Sequence, residues 1–225
     1  MSETEPPRSE AGERAALLGV PEFGVSRLLL VATGSVSTAD LPFWGTWLRT
    51  CYPDLEIMLA LTRSARRFVT PTALHGRING EVIPDTWPED DPRALHVELA
   101  EWAEAVLVYP ATLHFTARLA LGLADSPALL AAQCTKAPIV VAPALPPGGV
   151  DSPAYLAHRS ALAARPNVVV MPPRPGISVT TGRPGAWAPA LLPHCLEALE
   201  RLRDARDPGS REETDVSGAA SEASA

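Results

Sequence analysis

The chain has 225 residues, 46% of them hydrophobic, and a formal net charge of −7. That length supports one sizeable core rather than two, the negative balance argues against a nucleic-acid partner, and no apolar run approaches the roughly 18 residues of a membrane span. Cys51, Cys134 and Cys195 show neither metal-ligand spacing nor a disulfide framework, which together with an acidic, polar N-terminus predicts a reducing, cytoplasmic setting.

Residues 1–22 and 204–225, rich in Ser, Glu, Ala and charge, are predicted to be disordered tails around a single domain over 23–203. Within it, Arg27 to Ala32 (RLLLVA) reads as a strand buried on both faces. Thr33-Gly34-Ser35 closes it, and a helix with Phe43, Trp44, Trp47 and Leu48 follows. Leu55 to Leu61 is a second strand, closed by Thr62-Arg63-Ser64 ahead of Ala65 to Phe68. A Pro-rich loop at 84–92 carries Trp87, which either covers a site or fills a gap. His96, Leu99, Ala100 and Ala103 then share one helix face, with Glu98, Glu101 and Glu104 on the polar one. Ala105 to Tyr109 (AVLVY) is a third strand, and Pro110, which has no N–H, is expected to end its ladder. A helix over Phe115 to Leu123 breaks at Gly122 and at Asp125-Ser126-Pro127. Ala137 to Ala142 and Asn167 to Met171 supply two further strands, and Pro189 to Arg203 a closing helix. This alternation predicts an α/β fold with a Rossmann-like, doubly wound parallel sheet, whose ligands sit at the carboxyl ends of the strands.

Three of those strand ends carry hydroxyls. Gly34, Ser35, Ser37 and Thr38 follow the first strand, Thr62 and Ser64 the second, and Thr112 the third. Each alone is more often an ordinary helix N-cap. Three on one side of a sheet point to a phosphate-bearing cofactor, held by loop N–H groups and helix N-termini. The GxGxxG fingerprint and the Walker lysine motif are both absent. His75, His158 and His194 have no partners at ligand spacing, so no metal site is expected. Gly176 and Gly182 flank a β-branched run, Ile177 to Thr181, that reads as a hairpin: either a flap whose edge pairs with an extended peptide or an ordinary surface hairpin.

The segments LHVELAEWAEAVLVYPAT and LALGLADSPA, with the loops ATGSV and TRSARRFVTP, resemble the homo-oligomeric flavin-containing cysteine decarboxylases, the family of phosphopantothenoylcysteine decarboxylase and the lanthipeptide decarboxylases. The likeness covers about residues 27–195. It implies a flavoprotein-type protomer assembled into trimers or dodecamers, with flavin, FMN or FAD, bound between subunits. It makes His96 the catalytic histidine and gives the flavin phosphate or ribityl chain to Gly34, Ser35, Ser37 and Ser64, with Phe68 near the ring. Pro110, Ala111 and Thr112 correspond to the start of the family's Pro-Ala-Ser-Ala-Asn-Thr motif, and Asp125 with Ser126 would orient the flavin's pyrimidine edge.

Two departures bear on substrate. His114 stands where many members have Asn, and of the second family motif, Pro-x-Met-Asn-x-x-Met-Trp, only Pro143 is kept. His114 and Arg174 are therefore the candidates for the substrate carboxylate, and Ile177 and Val179 for contact with the rest of a peptide. The loop from Pro172 to Pro184 lacks the cysteine that phosphopantothenoylcysteine decarboxylases carry there, which favours an enzyme that stops at the unsaturated product. The function implied is oxidative decarboxylation of a C-terminal cysteine. Oxidised flavin takes hydride from Cβ, the thioaldehyde drives loss of CO₂, and an aminoenethiol is left for an aminovinyl-cysteine ring of a lanthipeptide. His96 takes the thiol proton or pairs with the carboxylate. Expected partners are the peptide, further copies of the chain and other lanthipeptide maturation enzymes. The alternatives are a phosphopantothenoylcysteine decarboxylase-like enzyme, a flavin prenyltransferase, which lacks a histidine ahead of the third strand, and a catalytically silent flavin-binding regulatory subunit.

Overall fold

A computed structural model describes residues 19–88 and 92–206. The predicted tails, apart from residues 19–22 and 204–206, lie outside the described residues. The strands are β1 (Arg27–Ala32), β2 (Glu56–Leu61), β3 (Gly80–Pro84), β4 (Ala105–Thr112), β5 (Ile139–Ala144), β6 (Val168–Val170), β7 (Arg174–Ile177) and β8 (Pro184–Ala188). The helices are α1 (Leu41–Cys51), α2 (Pro71–Leu74), α3 (Leu95–Trp102), α4 (Leu113–Ala120), α5 (Pro127–Cys134), α6 (Pro153–Ala163) and α7 (Leu192–Asp204). Short 3₁₀ segments, Val36–Asp40 and Ala65–Arg67, follow β1 and β2.

Six strands form one parallel sheet in the order β3-β2-β1-β4-β5-β6. The chain builds outward from β1 to one edge, then returns to lay β4 on the other side of β1. Winding therefore reverses between β1 and β4, the place where an open α/β sheet leaves a crevice at its carboxyl edge.

The apolar runs are continuous because both faces of the sheet are covered. Leu28, Leu30 and Ala32 pack with Trp44, Trp47 and Leu48 of α1 and with Leu192, Leu196 and Leu199 of α7. Leu29 and Val31 point the other way, toward Leu99 of α3, Phe115 and Leu119 of α4, Leu129 of α5 and Leu162 of α6. Alternate residues of one strand thus serve two cores.

Some elements differ from expectation. Pro110 does not end β4: the strand continues to Thr112, with a cis Tyr109–Pro110 bond and a register irregularity, after which Ala111 and Thr112 pair with Pro143 and Ala144 of β5. The missing N–H removes one donor, but the ladder resumes beyond it, and the Pro110 carbonyl is taken up by the Thr33 hydroxyl. Strand β3 escapes the hydrophobic pattern because it is an edge strand, with Gly80 and Glu81 exposed and a terminal Pro84. Helices α5 and α6 open on Pro127 and Pro153, where a proline starts a helix as well as it breaks one. The hairpin expected near Ile177 is present as antiparallel β7 and β8, with most of the β-branched run in its turn. It is tied to the sheet by reciprocal N–H···O bonds between Leu145 and Trp187, both 2.9 Å.

Candidate cofactor cavity and active site

A cavity of about 660 Å³ opens at the carboxyl edge of the sheet. It lies over the place where the winding reverses. Thr33 and Gly34 come from the end of β1, Thr62, Arg63 and Ser64 from the end of β2, Asp85, Thr86 and Trp87 from the end of β3, and Thr112, His114, Phe115 and Arg118 from the end of β4 and α4. Asp125 and Ser126, ahead of α5, close one side. The three hydroxyl-bearing loops singled out in the sequence thus meet in one place.

Hydrogen bonds hold these loops. The Thr33 hydroxyl donates to the Pro110 carbonyl at 2.7 Å and accepts the Thr112 N–H at 2.8 Å. The Thr112 hydroxyl in turn accepts the Phe115 N–H at 3.3 Å and caps α4. Gly34 lies so close to the second loop that a Cβ at this position would stand 2.4 Å from the Ser64 Cβ. Only a residue without a side chain lets both backbones form one cradle.

Two carboxylates and two guanidiniums share the cavity wall. Asp85 is 6% exposed, and it accepts the Ser126 hydroxyl at 2.8 Å and the Ala128 N–H at 2.9 Å, capping α5 from the end of β3. Burial raises its pKa, against the lowering effect of those two donors and of the Arg118 charge. Asp125 is paired with Arg118, whose hydrogen bonds hold its carboxyl below the usual range. Arg63 has no hydrogen bond or ion pair from its side chain among the described residues.

The structure sorts the predicted residues. Gly34, Ser64, Thr112, His114, Asp125 and Ser126 line the cavity. Ser35 and Ser37 lie just outside it, where the Ser35 hydroxyl accepts the Ser37 N–H at 3.4 Å and caps the first 3₁₀ segment. Pro110 and Ala111 are buried beneath, within β4, and Phe68 is exposed beyond the second 3₁₀ segment. His96 sits in the first turn of α3 and is not among the lining residues, but its ring packs edge-on against Trp87, which is (centroids 5.5 Å, interplanar angle 71°). Among the described residues its Nδ1 is buried without a hydrogen-bond partner. Arg174 lies away from the lining, on β7, donating from Nε to the Pro189 carbonyl at 3.0 Å. Ile177 and Val179, at the hairpin turn, are 68% and 76% exposed. None of the three cysteines lines the cavity, and burial pushes the Cys195 thiol up to about 12.

Asp85, Arg63 and Arg118 were not among the candidate residues. The signal for Asp85 was its place one residue beyond a strand, visible only once β3 is recognised. For Arg118 it was spacing: four residues after His114 on α4, it faces the same way.

A profile of the Flavoprotein family matches residues 22–189. Cypemycin cysteine dehydrogenase (decarboxylating) from Streptomyces sp. is 36% identical over 189 residues, spanning 83% of this chain and 96% of that protein. The crystal structure of the cypemycin decarboxylase CypD superposes with a TM-score of 0.68 at 35% identity, over 84% of this chain and 99% of that one. The FMN-dependent cysteine decarboxylase TvaF from thioviridamide biosynthesis follows, with a TM-score of 0.60 at 32% identity, over 65% and 90% of the two chains.

Proposed function

Because this chain belongs to the Flavoprotein family, we propose that it is a flavin-dependent peptidyl-cysteine decarboxylase. It takes CO₂ and two hydrogens from the C-terminal cysteine of a ribosomally made precursor peptide, and leaves an aminoenethiol for an aminovinyl-cysteine ring of the lanthipeptide type. The observation that carries this reading is the match to a decarboxylating cysteine dehydrogenase over nearly its whole length, in a chain whose strand-end loops meet in one cavity.

The residues present fit a flavin. Gly34 and Ser64 form a cradle that a Cβ would fill, and hydroxyls of Thr62, Ser64 and Thr112 line the same cavity. In this reading Gly34, Ser35, Ser37 and Ser64 hold the phosphate and ribityl chain, and Phe68 packs near the ring. Pro110, Ala111 and Thr112 set the backbone against the ring, and Asp125 with Ser126 borders its polar edge. The bound flavin supplies the two-electron oxidant that thiol chemistry alone lacks.

The remaining work falls to side chains of this protein. His96 is the proton-transfer group, since an imidazole changes charge nearest neutral pH. Its ring packs against Trp87 of the cavity wall, which sets it beside the cavity. His114 and Arg118 stand one helical turn apart on α4 and line the cavity. His114 is the anchor for the substrate carboxylate, because Arg118 is engaged with Asp125. Arg174, bonded to the Pro189 carbonyl, meets the peptide farther from the reacting carbon, together with Ile177 and Val179.

Val97, Leu121 and Leu123 are 41%, 64% and 45% exposed near the ends of α3 and α4. The reading takes the protein as a homo-oligomer, trimer or dodecamer, with the active site shared between subunits, as the family resemblance implies. Among the described residues no helix is long and apolar enough to cross a membrane. The reading places the domain over 23–203 in the reducing cytoplasm, beside other maturation enzymes of the same peptide.

The test is aerobic incubation of the full chain with a synthetic peptide ending in cysteine, read by mass spectrometry. Loss of CO₂ plus two hydrogens is expected, and its disappearance in a His96→Asn variant that still binds flavin. A yellow, folded protein that leaves every such peptide intact would overturn the reading.

A further inference from the structure

We infer that Arg63 is the cation that binds the flavin phosphate and makes the cavity select phosphorylated flavins over riboflavin. The inference rests on the reading that this cavity takes a flavin.

A phosphate brings up to two negative charges to a place that already holds two carboxylates, Asp85 and Asp125. Burial works against the charge of Asp85, and Asp125 is already matched by Arg118. Something else must neutralise the dianion.

Helix dipoles do not supply that much charge. The loop at Ser64 leads into a 3₁₀ segment of three residues, and the loop at Gly34 into one of five that runs on into α1. A helix N-terminus offers at most about half a positive charge, short of what a phosphate dianion carries. Loop N–H groups and the hydroxyls of Thr62, Ser64 and Thr112 provide hydrogen bonds, but no formal charge.

Of the two cavity-lining guanidiniums, Arg118 is tied to Asp125 through Nε and a terminal nitrogen. Arg63 is unengaged among the described residues, and it sits between Thr62 and Ser64, on the loop that Gly34 touches. Arg66 and Arg67 follow in the next few residues, also without side-chain partners among the described residues, so three positive charges with no described partner fall within five residues of a chain whose net charge is −7. Arg63 is the one of the three that faces the cavity. Its planar fork of donors matches phosphate oxygens two at a time, which an ammonium does not.

The experiment separates charge recognition from loop architecture. The full chain, stripped of flavin, is titrated with FMN and, separately, with riboflavin, for wild type, Arg63→Gln and Arg63→Lys, following flavin fluorescence. Losing a charge-assisted hydrogen bond should weaken FMN roughly tenfold to hundredfold in Arg63→Gln. Riboflavin affinity should stay unchanged, and Arg63→Lys should recover part of the loss. Unchanged FMN affinity in Arg63→Gln, or equal weakening of both flavins, overturns the assignment. Failure of wild type to bind either flavin instead overturns the flavin reading itself.

Discussion

Thr33 and Thr112 are joined where β1 and β4 stop pairing as strands. The β1–β4 register runs only to Val31 and Val108. Beyond it the Thr33 hydroxyl accepts the Thr112 N–H at 2.8 Å and donates to the Pro110 carbonyl at 2.7 Å. One 2% exposed side chain thereby replaces two ladder bonds at the point where the cavity opens. Thr33→Val keeps the shape and removes both bonds, leaving a carbonyl and an N–H without partners. The expected cost is about 2–4 kcal/mol, with Thr33→Ser close to neutral. Urea unfolding of the three proteins checks this; equal stabilities for Val and Thr would show that water serves the two groups as well.

The Gly34–Ser64 contact makes a second, sharper expectation. A methyl group at position 34 meets the Ser64 Cβ at 2.4 Å, a distance that packed atoms do not tolerate, so the two loops must part. Gly34→Ala is expected to weaken flavin binding by roughly tenfold or more, an overpacking effect of about 1–3 kcal/mol. Ser64→Gly alone removes a hydroxyl from the cradle, but it also removes the obstructing Cβ. In the double variant the damage should be less than the sum of the two single losses. Additive losses in flavin affinity would mean that the contact is not what limits the cradle.

Asp85 predicts a pH dependence. Burial raises its folded-state pKa above the ordinary carboxylate value. The folded protein therefore holds the proton more tightly than the unfolded chain does. Below the unfolded value both states are protonated and nothing is lost; as pH rises from there through the folded pKa, the unfolded state ionises first and wild type loses stability. Asparagine can still accept the Ala128 N–H and can donate to the Ser126 oxygen, but it does not titrate. The melting temperature of Asp85→Asn relative to wild type should rise between acidic and neutral pH, and thermal scans across that range test it. A difference that stays flat would show that Asp85 keeps an ordinary pKa.

What the sequence made legible follows from burial. Strands β1, β2 and β4 lie inside the sheet with both faces covered, so their side chains are apolar without interruption and the runs stand out. Strand β3 has a neighbouring strand on one edge only, and its Glu81 and Pro84 look like loop residues. Missing β3 also hid Asp85, because nothing marks an aspartate in a Pro-rich stretch as the residue that ends a strand. The hydroxyl loops were visible because a strand end fixes where they must be, whereas the Arg118–Asp125 pair depends on how the chain turns back between α4 and α5. Pro110 misled for a different reason: the missing N–H is real, but the bond that compensates comes from Thr33, 77 residues away.

The hairpin offers the most direct separation of substrate from cofactor. Ile177 and Val179 are among the most exposed apolar side chains of the described residues. They stand on a turn that projects from the sheet end through the Leu145–Trp187 pairing. Neither touches the cavity wall, so changing both to serine should leave flavin content and melting temperature as they are. A peptide laid along the hairpin would cover them, and burying one such side chain is worth about 1.5–3 kcal/mol when complete. With partial cover at two positions, KM for a peptide ending in cysteine should rise on the order of tenfold to hundredfold, with kcat unchanged. A minimal substrate, an N-acylated cysteine too short to reach the hairpin, supplies the contrast: its KM should not move. If KM for the long peptide is also unchanged, the hairpin is ordinary surface and recognition lies within the cavity, on His114 and its neighbours. If both substrates suffer alike, the hairpin shapes the active site rather than gripping the peptide.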